Sequence, residues 1–220
     1  MGIGAITFDL DDTLAVVDRS RADLLEAAIR AVDAPPISRT QYLDAHASVR
    51  DSETRAPIFE LLLSTVGDSD VDPVELAGAY RQAIGSHLRP VRGVESMLES
   101  LSASMPVGLI TNGPERAQLD KLERLGWTDR FDAVVITGRL GTPKPEPEPF
   151  HAACDCLGVS PSEVVHVGDH PVHDIDGARA AGLDAVWVVE EDTHRHAPVP
   201  TVTRERLAEE LVQLAQPVVH

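Results

Sequence analysis

From residue 94 to residue 189, amphipathic helical stretches and short apolar runs alternate strictly. No other feature restricts the fold of this chain so sharply. Helical spacing covers 94–101, 115–125, 148–157 and 173–181, and the apolar runs between them cover 107–110, 133–136, 164–167 and 185–189. Strands separated by helices cannot pair through tight turns, so they run parallel, and a parallel sheet must be covered by helices on both faces. The expected class is therefore α/β with a doubly wound parallel sheet. Residues 3–8 form one more apolar run, which ends abruptly in FDLDDTL. A lone strand has no partner, so this segment is expected in the same sheet, delivering carboxylates at its C-terminal end.

Between that strand and the alternating region the pattern is helical. Leu24, Leu25, Ala28 and Ile29 keep helical spacing after a candidate N-cap at Ser20, and Pro35-Pro36 breaks the run. Further helices are expected at 38–49, 53–66 and 73–87, with no strand before Pro106. This divides the chain into an α/β core at 1–16 and 90–220 and an inserted helical cap at 17–89, with Pro90 and Gly93 as hinge candidates. Residues 190–200 read as a proline-containing loop, and Leu207, Leu211 and Leu214 mark one face of a closing helix.

Composition excludes several classes. With 43% hydrophobic residues among 220 there is enough apolar material for a sizeable core. No apolar run approaches the roughly 18 residues of a membrane helix, and the first residues lack the basic start and cleavage site of a signal peptide. A membrane partner is not expected, and the expected location is cytoplasmic. A net charge of −17 argues against a nucleic-acid surface, which needs a basic stripe. Lys121 and Lys144 are the only lysines among 19 basic residues, and this skew towards arginine and acids suggests a high-salt or GC-rich source. Cys154 and Cys156, two apart, are poorly placed to bridge each other.

Polar residues stand just past the ends of several apolar runs: Asp9 and Asp11, Thr111, Lys144, then Asp169 and Asp174. In an open parallel sheet the ligand crevice lies beyond the carboxyl ends of the strands, so these groups can converge although they are remote in sequence. Asp9 can attack phosphorus, but it would repel a phosphate dianion. An oxygen-lined site made by Asp9, the Asp11 backbone carbonyl and Asp169 suits Mg²⁺, and Lys144 adds positive charge. Thr111 and the backbone N–H groups of Asn112 and Gly113 can donate to phosphoryl oxygens. Asp174, five residues past Asp169, is expected to support the site rather than bind the ion.

Four motifs together resemble the haloacid dehalogenase superfamily: FDLDDTL, LITNG ending at Gly113, KPEPEPF from Lys144, and HVGDHPVHDIDGARAAG ending at Gly182. They cover residues 1 to about 190 in the family's order. The resemblance implies a Rossmann-like core with a helical cap, Asp9 as nucleophile, Asp11 as general acid and base, Thr111 and Lys144 as phosphate binders, and Asp169 as Mg²⁺ ligand. It implies a phosphatase acting on a small phosphorylated metabolite through an aspartyl-phosphate. Asp12 stands where the family most often has glycine, and His170 where a small polar residue is usual.

The superfamily also contains haloacid dehalogenases and phosphomutases. A dehalogenase needs neither Mg²⁺ nor a second aspartate, so Asp11 favours a phosphatase. A phospho-accepting receiver domain uses Asp, Thr, Lys and Mg²⁺ in a different chain order, and a catalytically silent binding protein would not need the intact set. His166, His170 and His173 are expected to be structural or solvated, because imidazole competes poorly for a carboxylate-lined oxygen site. The stretch 193–196 reads as exposed loop, and both cysteines as buried small hydrophobes. Gly177, Ala178, Ala180 and Ala181 permit close helix-to-sheet packing with Gly182 as C-cap. Substrate choice would rest on insert side chains such as Arg19, His46, Arg50 and Arg55, for which solvated faces are the default. Oligomeric state is not legible.

Overall fold

A computed structural model describes residues 2–49, 53–66, 70–191 and 197–214. From the N-terminus, β1 (Ala5–Phe8) and β2 (Ala15–Val17) lead into α1 (Arg21–Ala31), α2 (Arg39–Ser48), α3 (Ala56–Val66) and α4 (Pro73–His87), then β3 (Leu88–Pro90). The chain continues through α5 (Val94–Ser102), β4 (Val107–Thr111), α6 (Glu115–Leu125), β5 (Ala133–Ile136), α7 (Thr137–Leu140) and α8 (Glu148–Leu157). After β6 (Val164–Gly168) come α9 (Gly177–Ala180), β7 (Asp184–Val189), β8 (Thr201–Thr203) and α10 (Leu207–Leu214).

The main sheet has six strands in the order β5-β4-β1-β6-β7-β8, and every pair is parallel. Alternate residues of a strand face opposite sides, so each face needs its own helical cover. Ile6 and Phe8 pack with Met97, Leu98, Leu101, Leu207 and Leu211 on one side, while Ala5 packs with Phe150, Ala153, Ile175 and Ala178 on the other. The expected doubly wound α/β class is therefore the observed one. The insert buries a separate cluster, including Leu24, Leu25, Tyr42, Phe59, Leu62, Tyr80 and Ile84.

Helix starts follow local chemistry. The Ser20 hydroxyl accepts from the Asp23 N–H at 3.1 Å, and Ser38 with Gln41 makes a reciprocal capping box.

Two expectations about strands are corrected. Strand structure does not wait for Pro106: β2 and β3 pair antiparallel, Ala15 opposite Pro90 and Val17 opposite Leu88. Each is three residues long and held by a partner remote in sequence, so neither leaves a periodic trace. The core–cap boundaries expected near 16 and 90 fall in this ribbon. The tail likewise supplies β8, which pairs with β7 from Trp187–Thr201 to Val189–Thr203. The motif TVT carries no apolar run, and its place comes from the open edge of β7. Leu207 and Leu211 are buried as expected, whereas the Leu214 side chain, Arg50 and residues 193–196 lie outside the described residues. The helix expected at 173–181 is a wide turn over Pro171–Asp176 followed by α9. Among the cysteines, Cys154 is buried but Cys156 is exposed, and both are free. Among the described residues no helix is long and apolar enough to cross a membrane.

Candidate active site

Because β1 lies between β4 and β6, the residues that follow these strands meet at one edge of the sheet. Asp9 follows β1, and its N–H donates to the Val167 carbonyl at 2.9 Å. Lys144 reaches it from the loop after α7. Its Nζ donates to Asp9 Oδ1 at 2.7 Å, Asp174 Oδ1 at 2.6 Å and the Ile110 carbonyl at 2.8 Å, which uses all three ammonium donors. The Asn112 side chain holds the Lys144 backbone from both sides, accepting from its N–H at 2.9 Å and donating to its carbonyl at 3.1 Å. Asn112 thus positions the lysine with its side chain, leaving only its backbone for the donor role expected from sequence. The Gly113 N–H makes a long contact of 3.4 Å to the Thr137 hydroxyl.

Close approach sets glycine at two points. A Cβ on Gly168 would meet the Asp174 carboxyl carbon at 2.4 Å, and one on Gly138 would meet the Gly113 carbonyl at 2.4 Å.

One oxygen each from Asp9, Asp169 and Asp174 fall within 4.8 Å of one another. Asp174, expected only to support the site, therefore stands inside the carboxylate cluster as well as bracing Lys144. Burial pushes the Asp9 carboxyl up; Lys144 opposes this and Asp174 reinforces it. Burial, then Asp174 and Asp12, raise Asp169 to about 6. Asp174 itself stays well below the usual carboxylate range, because Lys144 and His166 outweigh its burial. Carboxylates outnumber the single cation here, and this oxygen-only donor set fits a hard divalent ion such as Mg²⁺.

Asp11 faces a different set of groups. Its carboxylate receives Lys121 Nζ from α6, Arg21 Nη2 from α1 at 3.0 Å and Gln118 Nε2 at 3.1 Å. Burial works against its charge, but Lys121 and then Arg21 hold it well below the ordinary carboxylate range. Gln118 also donates to the Thr111 hydroxyl at 3.0 Å. Burial lowers Lys121 to about 8 against the pull of Asp11, and Arg55 and Arg21 push it further down. Arg21, Gln118 and Lys121 escaped the sequence reading. The available signal was that Gln118 and Lys121, three apart, share the buried face of α6 with Ala117 and Leu122.

The other residues singled out from sequence separate clearly. His166 is buried, bonded to Thr7 at 3.0 Å and to Asp174 at 3.4 Å, as a structural histidine. Arg19 is exposed. His46 lines a cavity of about 410 Å³ together with Ile58, Asn112, Gly113 and Lys144. It is exposed, as the default of a solvated helix face had it, and it borders that cavity from the insert.

A family model for haloacid dehalogenase-like hydrolases matches residues 3–182. The chain belongs to that family. A glyceraldehyde 3-phosphate phosphatase of Methanopyrus kandleri is 33% identical over 196 residues, 84% of either chain. A phosphoglycolate phosphatase of Xylella fastidiosa is 34% identical, over 83% of this chain and 80% of that one. Among solved structures, a 2-haloacid dehalogenase of Pseudomonas syringae has a TM-score of 0.70 at 29% identity, covering 96% of this chain and 99% of that one.

Both departures from the common motifs of haloacid dehalogenase-like hydrolases have a physical reason in this chain. Asp12 has φ +60°, a left-handed conformation that glycine adopts freely and aspartate tolerates better than most residues. His170 caps the following turn, its Nδ1 accepting from the Val172 and His173 N–H groups at 3.2 and 3.1 Å.

Proposed function

We propose that this hydrolase is a Mg²⁺-dependent phosphatase of small phosphomonoesters working through an aspartyl-phosphate. The observation that carries the proposal is the pair of separately managed aspartates. Asp9 sits against Lys144 in an anionic cluster, and Asp11, two residues on, sits in a cationic one. In this reading Asp9 and Asp169, with the Asp11 backbone carbonyl, would hold the ion. When bound, it would offset the negative charge of the substrate and stabilise charge on the phosphoryl oxygens.

The Asp9 carboxylate attacks phosphorus, and the ester P–O bond breaks as the leaving oxygen takes a proton from Asp11. Asp11 as carboxylate then takes a proton from water, which attacks phosphorus and frees Asp9. Its ion pairs suit the second step. For the first, Asp11 has to take up a proton, so both the Lys121 and the Arg21 contacts that hold it ionised have to loosen. Thr111 and the N–H groups of Asn112 and Gly113 donate to the phosphoryl oxygens, and Lys144 keeps Asp9 oriented. The inserted helices serve as the cap over the site, covering 17–89. A reducing, cytoplasmic setting belongs to the same reading.

The rival is dehalogenation, favoured by the likeness to the Pseudomonas syringae structure. A direct assay separates the two: phosphate release from p-nitrophenyl phosphate with Mg²⁺, abolished by EDTA, against chloride release from 2-chloropropionate without added metal. Phosphate release that requires Mg²⁺ is expected; chloride release alone would replace this reading.

A further inference from the structure

Gln118 takes no part in the proposed chemistry, yet it is buried to 1% exposure and touches two residues that do. From the inward face of α6 its Nε2 donates to Asp11 Oδ2 at 3.1 Å, to the Thr111 hydroxyl at 3.0 Å and to the Asn112 carbonyl. These acceptors belong to the loop after β1 and to the end of β4, so one side chain ties the two segments together. An amide turned end for end would aim its carbonyl at the Asp11 carboxylate and the Asn112 carbonyl, and neither has a hydrogen to give. The partners thus fix its orientation.

Two amide hydrogens are shared among three oxygens, while Oε1 is buried with no hydrogen-bond partner among the described residues. A buried carbonyl left unpaired costs stability, and an apolar side chain of similar length would avoid that cost. For stability alone an amide is a poor choice here. Its effect lies at the site. Because Gln118 offers a hydrogen to Thr111, the hydroxyl's own hydrogen is turned elsewhere and is free for a phosphoryl oxygen. Asp11 is held at the same time, by a donor unlike its other two. Lys121 and Arg21 are cations that favour only the ionised carboxylate, whereas a neutral N–H can stay on Oδ2 when Oδ1 carries a proton. Gly113 leaves room for this contact, since a Cβ there would come within 3.1 Å of the Gln118 nitrogen.

We propose that Gln118 is a positioning residue for the reaction, holding Asp11 in register with the phosphoryl-binding Thr111. The inference rests on the phosphatase reading and adds to it a residue that acts through Asp11 and Thr111 rather than on the substrate.

Gln118→Met keeps the length of the side chain and removes its donors. With p-nitrophenyl phosphate and saturating Mg²⁺, kcat should fall about tenfold to a hundredfold, which corresponds to a hydrogen bond to a charged group. A burst of p-nitrophenol should appear, because attack by water relies on Asp11 while departure of nitrophenolate needs little protonation. The melting temperature should stay close to that of the wild type, since the loss at the Asn112 carbonyl is offset by relief of the unpartnered Oε1. The decisive measurement is the double variant Asp11→Asn, Gln118→Met. Acting through Asp11, the glutamine should matter much less once that carboxylate is gone. Gln118→Leu gives the same reading if the methionine variant does not fold, as judged by circular dichroism. An undiminished kcat, losses that multiply in full in the double variant, or failure of both single variants to fold would reduce Gln118 to a structural role and leave the phosphatase standing. A wild type that releases no phosphate from p-nitrophenyl phosphate would remove both readings.

Discussion

Lys144 and Lys121 are both buried, and each ends on an aspartate of the FDLDDTL motif, yet their surroundings are charged in opposite senses. Around Lys144 stand Asp9 and Asp174, with Asp169 close by, so acids outnumber the cation and raise its hold on the proton despite burial. Around Lys121 stand Asp11, Arg21 and Arg55; burial, opposed by Asp11 and helped by Arg55 and Arg21, lowers the lysine to about 8. Two lysines of similar burial therefore face opposite tasks. One half of the site is short of positive charge and fits a metal ion. In the other half Lys121 and Arg21 share the single carboxylate of Asp11. Burial makes both imbalances count, because water no longer screens them.

The largest expected effect comes from breaking the anionic half at its nucleophile. Asp9→Asn removes the attacking oxygen while Lys144 keeps Asp174, so turnover should fall by at least about 10⁴-fold with the melting temperature nearly unchanged. Steady-state rate and thermal melting on one preparation check both parts; a variant of undiminished rate would end the covalent mechanism.

Asp11→Asn tests the cationic half. With an aryl phosphate, whose leaving group needs little protonation, the second step should suffer by about 10² to 10⁴-fold. A burst of aryl alcohol followed by slow turnover, and a hydroxylamine-labile phosphoenzyme, are the expected signatures in rapid-mix experiments. Wild-type turnover would free Asp11 of both roles.

Substituting the lysines compares the two halves directly in stability. Lys144→Met leaves buried carboxylates without their cation and should cost about 3–5 kcal/mol. Lys121→Met leaves Asp11 still bound to Arg21 and Gln118 and should cost less, about 1–3 kcal/mol. Denaturant melts of both variants rank the two, and the reverse order would contradict the charge assignment.

The smallest effect is in pH. Asp169 rises to about 6 in the folded chain, against roughly 4 for an unfolded aspartate. Between these values the native state binds the extra proton, so this group's contribution to stability is full below about pH 4 and is lost as pH rises through about 6. In metal-free protein the Asp169→Asn variant should lack that loss, and saturating Mg²⁺ should reverse it in the wild type. Urea midpoints at pH 4.5, 6 and 7.5 report the slope; parallel curves for variant and wild type would discount Asp169 as its source.

The sheet, its parallel sense, the helical insert and the residues at the strand ends were legible in the sequence. These depend on local periodicity and on one topological rule, that ligands meet beyond the carboxyl ends of parallel strands. The motifs marked Asp9, Thr111, Lys144, Asp169 and Asp174 because each directly follows an apolar run or lies in the loop after it. Arg21, Gln118 and Lys121 left no such mark. Their work depends on which face of α6 turns inward and on how closely α1 approaches the FDLDDTL loop, and both are settled by packing remote in sequence. The short strands β2, β3 and β8 exist only because a partner edge was open to them. The sequence alone thus determined the element types and the chemistry at the strand ends. Only the tertiary structure decided the sign of the charge around each lysine, because that sign is a sum over side chains that meet only when the chain is folded.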